Sequence, residues 1–220
     1  SRSRPPSRCC WRVATRHGRI EAPSRRAVNA SVPGALIIAC GALAQEIAAL
    51  RRINNWDALD IQCLPPELHN RPEQIPARVR EAIRAARDRY ARIFVAYADC
   101  GTGGRLDAVL QEAGVERLPG AHCYEFYATA QRFSELAEQE PGTFYLTDFL
   151  VRHFERLVVQ TLGIDRHPEL IGEYFRNYRR VVYLIQDQAQ SDVEAAARIA
   201  QRLSLAFECH HTGYGELERS

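Results

Sequence analysis

A chain of 220 residues with 46% hydrophobic and 25% charged residues has the composition of a globular protein and the length for one α/β domain with a sizeable core. Its net charge of +2 is unevenly placed: residues 1–33 carry eight arginines against the single acid Glu21. The remainder is slightly acidic, which excludes a general polyanion-binding surface there, and no apolar stretch approaches the roughly 18–20 residues of a membrane span.

In chain order, residues 1–33 come first. They are Arg- and Ser-rich and lack the apolar core of a secretory signal. They predict a disordered extension, with an organellar targeting segment or a nucleic-acid arm as alternatives; Cys9 and Cys10 fall within it and are set aside. After Pro33-Gly34 the pattern becomes regular. Residues 35–40 form a continuous apolar run, as in a strand buried on both faces. Residues 42–54 carry Leu43, Ile47 and Leu50 at helical spacing, and 59–64 predict a second strand stopped by Pro65-Pro66. A helix from Pro72 to Tyr90 shows one apolar face, Ile75, Val79, Ile83 and Ala86. Residues 92–98 predict a third strand, 101–104 a glycine turn, and 106–112 a helix closed by Gly114.

A fourth strand is predicted at 115–118, and one helix at 123–138. Residues 144–147 are ambiguous. Asp148 is a helix cap with the helix running to Leu162, and a short helix follows at 169–177. Residues 180–185 predict a strand, 191–203 a helix and 205–209 a last strand. Alternating strands and helices predict a three-layer α/β fold: a mostly parallel open sheet, Rossmann-like, with helices on both faces. Residues 34–215 are expected to form a single domain with a tail at 216–220.

Seven cysteines are an odd number without the regular spacing of a secreted disulfide framework. A reducing, cytoplasmic setting follows, where cysteine clusters mean metal or catalysis more often than disulfides. Cys40 ends the first strand, Cys100 follows the third, and Cys123 lies one connection later. Ligands of open α/β sheets bind outside the carboxyl ends of strands. If the first strand lies between the second and third, Cys40, Cys100 and Cys123 can meet as metal ligands for zinc or an iron–sulfur cluster. His69, His122 and Glu125 are candidates for a fourth ligand. The opposing reading is three inert packing thiols; Cys63 and Cys209 read as core.

The loop Asp99-Cys-Gly-Thr-Gly-Gly104 has the Asp-x-Gly-x-Gly look of the S-adenosylmethionine loop of Rossmann methyltransferases, which makes Asp99, Gly101, Thr102 and Gly103 candidate cofactor-binding residues. Against it, the loop follows the third strand instead of the first. A further option is a metal-free enzyme with Cys100 as nucleophile, His122 or His69 as base, and the N–H groups of residues 101–104 steadying an oxyanion.

Several short motifs occur in order: Cys40-Gly41, Leu68-His69, Tyr97-Ala-Asp-Cys-Gly101, His122-Cys-Tyr-Glu125 and Phe144-Tyr-Leu-Thr147. Together they make residues 35–215 resemble a family of uncharacterised bacterial and archaeal proteins catalogued as a domain of unknown function. Members are often encoded near corrinoid-dependent methyltransferases. The resemblance implies a role in one-carbon metabolism beside corrinoid methyltransferase-system proteins, acting on a small-molecule substrate. It also implies that Cys40, Cys100 and Cys123 match the family's recurring cysteines. The expectation is a metal-binding α/β protein serving methyl transfer; the alternatives are the cysteine nucleophile, a methyltransferase-like protein, and a non-catalytic accessory protein.

Overall fold

The continuous apolar runs become parallel strands. The structure is a computed structural model, and it describes residues 34–218; the Arg-rich segment 1–33, with Cys9 and Cys10, lies outside the described residues. Strand β1 (Ala35–Cys40) lies between β2 (Leu59–Leu64) and β3 (Arg92–Ala96), and β4 (Glu116–Arg117) pairs on the far side of β3, all parallel. The register sets Cys40 beside Leu64 and Ala39 beside Ala96, so the carboxyl ends of β2, β1 and β3 are nearly level.

The expected single sheet is two. Strand β4 is only two residues long, too short to carry a further partner. The chain then builds helices α4 (Tyr124–Ala128) and α5 (Ala130–Gln139) before starting a second parallel sheet, β5 (Thr143–Thr147), β6 (Arg180–Ile185) and β7 (Ala206–His211), in that order.

Right-handed crossovers place the helices. Helix α1 (Ala44–Ile53) joins β1 to β2 on one face; α2 (Ile75–Ala86) and α3 (Arg105–Ala113) pack side by side on the other. On α2, the expected stripe of Ile75, Val79, Ile83 and Ala86 is buried and supplies much of the first core with Leu36, Ile38 and Val95. In the second sheet, α6 (Asp148–Phe154) and α8 (Val193–Arg202) cover one face through Leu146, Val181 and Tyr183. Helices α4 and α5 cover the opposite face, where Ala128 and Leu136 meet Tyr145, Val182 and Leu184. Helices thus flank both sheets. No described helix is long and apolar enough to cross a membrane.

Two expected helices are interrupted. Residues 123–138 break at Thr129, whose φ of +68° cannot continue a helix; its side chain instead caps α5 by accepting from the Arg132 N–H. The helix begun at Asp148 kinks at His153 and continues as a π-helical segment, Glu155–Gln160. The helix expected at 169–177 is the short α7 (Leu170–Tyr174).

The chain closes on α4. Gly215 sits at φ +52°, and a Cβ there would lie 2.2 Å from the carbonyl oxygens of both Phe126 and Tyr127. Gly215→Ala should therefore cost about 2–3 kcal/mol, read as a lower denaturant midpoint at unchanged slope. An unchanged midpoint would show that this turn does not seat on α4.

Candidate metal centre

Three loops at the carboxyl edge of the first sheet bring the site together. The first follows β2. Pro65 and Pro66 end the strand and open a 3-10 turn, Pro66–Asn70, anchored by buried Leu68. His69 follows Leu68. Its Nδ1 lies 3.2 Å from the Pro66 carbonyl oxygen and 3.6 Å from the Cys40 Sγ. A carbonyl only accepts, so Nδ1 carries the proton of that bond. The other ring nitrogen, Nε2, is buried without a hydrogen-bond partner among the described residues. The turn is tied to the π-helical segment by the Arg156–Glu67 ion pair and by Asn70 Nδ2 donating to the Leu157 carbonyl at 3.4 Å.

The second and third loops are zipped to each other beyond β4. The Asp99 N–H donates to Gly120 at 3.1 Å and the Cys100 N–H to Ala121 at 2.9 Å, extending the β3–β4 pairing past the strand ends. Cys100 takes a left-handed φ of +49°, uncommon outside glycine, and its thiol is buried. Cys123 stands at the start of α4. Glu125 holds that start in place: its Oε1 accepts from the N–H groups of Ala121 (2.9 Å) and His122 (3.1 Å).

One ligand atom each from His69, Cys100 and Cys123 lies within 4.8 Å of the others, a group that could hold a metal ion. A tetrahedral ion with Zn–S bonds of about 2.3 Å needs sulfurs roughly 3.8 Å apart, so these side chains need only a small adjustment. The donor set fits as well. A ligating histidine typically donates its second ring N–H to a backbone carbonyl, which fixes the tautomer and aims the other nitrogen at the metal. His69 has that arrangement, with Pro66 as acceptor and Nε2 without a hydrogen-bond partner among the described residues.

The electrostatics are those of a thiolate site. The Cys123 thiol beside Cys100 draws the latter well below the usual thiol range; burial opposes this and His69 adds to it. Cys123 moves the opposite way, because it keeps the proton it shares with Cys100 and is itself largely removed from solvent. Burial works against charge on His69, but the sulfurs of Cys100 and Cys40 beside the ring outweigh it and raise it to about 11.

The remaining expected residues fall as follows. Cys40 ends β1 buried, accepts from the Ala42 N–H at 3.3 Å, and touches His69 on its Nδ1 side. His122 is exposed and stacks on Tyr124 at 6.1 Å, and Glu125 is engaged by the backbone, so neither joins the thiol group. Asp99 accepts from the Thr102 hydroxyl (2.6 Å) and from the N–H groups of Gly103 (3.0 Å) and Gly104 (2.9 Å), while the Thr102 N–H goes to the Asp99 carbonyl. Those donors fold the loop on itself and are not presented to a ligand. Cys63 is exposed rather than core, because β2 is an edge strand.

Tyr97 is a site residue that patterning does not single out. It is fully buried, stacks under His69 with ring centroids 6.3 Å apart, and its hydroxyl has no partner among the described residues. Burial, with Cys40 and Cys100 beside it, pushes its phenol far up. Beside His69 and Cys123 opens an apolar pocket of about 220 Å³, lined by Tyr124, Tyr127, Phe144 and Phe149 among others. It lies between the two halves of the chain.

Residues 63–220 match the model of a family described as a protein of unknown function (DUF1638). The match begins at Cys63, so it includes His69, Cys100 and Cys123, whereas β1 and Cys40 precede it. No curated protein and no solved structure matches the chain.

Proposed function

We propose that the chain, which belongs to the DUF1638 family, binds a single zinc ion through His69, Cys100 and Cys123 and uses it in methyl or acyl transfer. The observation that carries this reading is the buried, unpartnered Nε2 of His69, its tautomer set by Pro66, with two thiols inside 4.8 Å. The close spacing favours one ion over a four-iron cluster, which distributes its ligands over separate irons. Zinc, when bound, lowers the pKa of a coordinated thiol or water and makes it a nucleophile at neutral pH.

The chain's own residues would do the rest. Three protein ligands leave one position for substrate. The aromatic pocket beside it would seat a small, largely apolar molecule and exclude water, and Pro66 would keep the imidazole oriented. A place in corrinoid-linked one-carbon metabolism is part of this proposal, supported by the motif resemblance alone.

A direct test is proton release. Metal-free protein holds a second ring proton on His69, a proton on Cys123 and a thiolate at Cys100. Metal binding needs His69 neutral, its remaining proton kept on Nδ1, and both cysteines as thiolates, so zinc should expel about two protons per ion, and its apparent affinity should fall about 100-fold for each pH unit of acidification. A dye-monitored zinc titration in weak buffer reads both. Binding without proton release would overturn the ligand set.

A second reading keeps Cys100 as a nucleophile without metal. The observation favouring it is the Cys123–Cys100 contact that holds Cys100 as thiolate. His69 would be its base, but the N–H groups of Thr102, Gly103 and Gly104 are already used within the loop.

A further inference from the structure

A second cavity, of about 310 Å³, opens across the crevice from the thiol site and shares no lining residue with the aromatic pocket. It is formed where α1 faces the carboxyl ends of β5 and β6, the place where open α/β folds take ligands. Its lining is mixed and includes the polar residues Glu46, Arg52, Asp148, Arg152, Asp187 and Tyr214.

Three of these groups are already committed. The Asp148 carboxylate accepts from the Tyr183 hydroxyl and from the N–H groups of Gln186 and Asp187. Asp187 accepts from the Ala189 N–H and the Gln190 amide. The Arg152 guanidinium is held by Gln45, Gln190 and the Asp148 carbonyl.

Two charged groups are left over. Glu46 is 3% exposed, and its Oε2 is buried with no hydrogen-bond partner among the described residues. Leaving such an oxygen unpaired costs about 1–3 kcal/mol, so it is a position that a ligand donor would satisfy. Burial raises the Glu46 carboxyl to about 7; a cation beside it would return it to the ionised form. Arg52, exposed at the mouth on the same helix, has no side-chain hydrogen bond or ion pair among the described residues. The two residues are six apart on α1, about 9 Å along its axis, a gap that the reach of an arginine side chain shortens.

We propose that this cavity binds a free amino acid, its ammonium donating to Glu46 and its carboxylate held by Arg52. A buried carboxyl oxygen lacking a donor and an unpaired guanidinium at the rim together ask for a small molecule carrying both an N–H cation and an anion. The cavity volume admits one such molecule.

The test is binding, independent of any activity and of the thiol site. The twenty free L-amino acids at millimolar concentration are screened by thermal shift against the full chain, and the best binder is quantified by calorimetry. At least one should raise the melting temperature. Its affinity should drop at least tenfold in Glu46→Gln and in Arg52→Ala, and its N-acetyl derivative should not bind. Glu46→Gln keeps the shape of the side chain and Arg52 is exposed, so both variants should fold. No shift from any amino acid, an affinity that survives either substitution, or equal binding of the N-acetyl derivative would overturn the proposal.

Discussion

Protein purified without oxygen should carry about one zinc per chain, and Cys100→Ser, Cys123→Ser and His69→Ala should each lose most of it. Each substitution removes one of the three ligands found at this spacing among the described residues. Cys40→Ser should behave differently. Cys40 touches the Nδ1 side of the imidazole, away from Nε2, so it acts on the ligand's orientation and basicity. Outer contacts of that kind are worth about 10–100-fold in metal affinity, a loss visible in competition with a chelator but not in metal content at saturation. Metal analysis with a visible spectrum of each variant checks this. A brown chromophore would replace the single ion by a cluster. Metal-free, folded wild-type protein would remove the metal reading in favour of the cysteine nucleophile. Selective alkylation of Cys100 by iodoacetamide would then be expected.

Asp148→Ala should be the most damaging single change to stability, at about 3–5 kcal/mol. The Asp148 carboxylate is 3% exposed and accepts three hydrogen bonds, from the Tyr183 hydroxyl at 2.5 Å and from the N–H groups of Gln186 at 3.0 Å and Asp187 at 2.8 Å. Its own N–H donates to the Gln186 side chain at 2.8 Å. One side chain thus clamps the end of β5 to the end of β6. Removing it strands three donors, and each unsatisfied buried group costs about 1–3 kcal/mol. Against a total stability of about 5–15 kcal/mol, that loss would leave a marginal protein. Tyr183→Phe removes only one of the three bonds and should cost about 1 kcal/mol. Equilibrium urea unfolding of both variants gives the comparison; equal losses would show that the backbone bonds to Asp148 contribute nothing.

The edges of two parallel strands were legible because a strand buried on both faces must be apolar along nearly its whole length: residues 35–40 and 180–185 coincide with β1 and β6. The edge strand β2 coincides with residues 59–64 because Pro65-Pro66 stops it. The apolar stripe of α2 was legible for the same reason, since a core-facing helix repeats its apolar residues at every turn. Helix interruptions were not: nothing in Tyr124–Gln139 announces that Thr129 takes a positive φ, because that choice is made by the packing of α4 and α5 on the second sheet. The split into two sheets was also hidden, as it depends on how few residues of β4 find a partner.

For the site, residue type and position along the chain marked Cys40, Cys100, Cys123 and His69 as lying at strand ends. Which of them meet was a matter of tertiary structure. The zipper from Asp99 and Cys100 to Gly120 and Ala121 joins loops some twenty residues apart and sets Cys123 against Cys100; the proline turn swings His69 onto the same spot. Glu46 is the clearest case. In the sequence it is one acid in the first turn of a helix, where solvent exposure is the ordinary outcome. Packing of the second half of the chain against α1 buries it, and burial turns a solvated charge into a carboxyl with one unpaired oxygen. The chain by itself determined which segments are strands and helices, because burial dictates periodicity locally. The folded structure alone decided which polar groups are taken out of water together, because that depends on contacts between segments far apart in sequence.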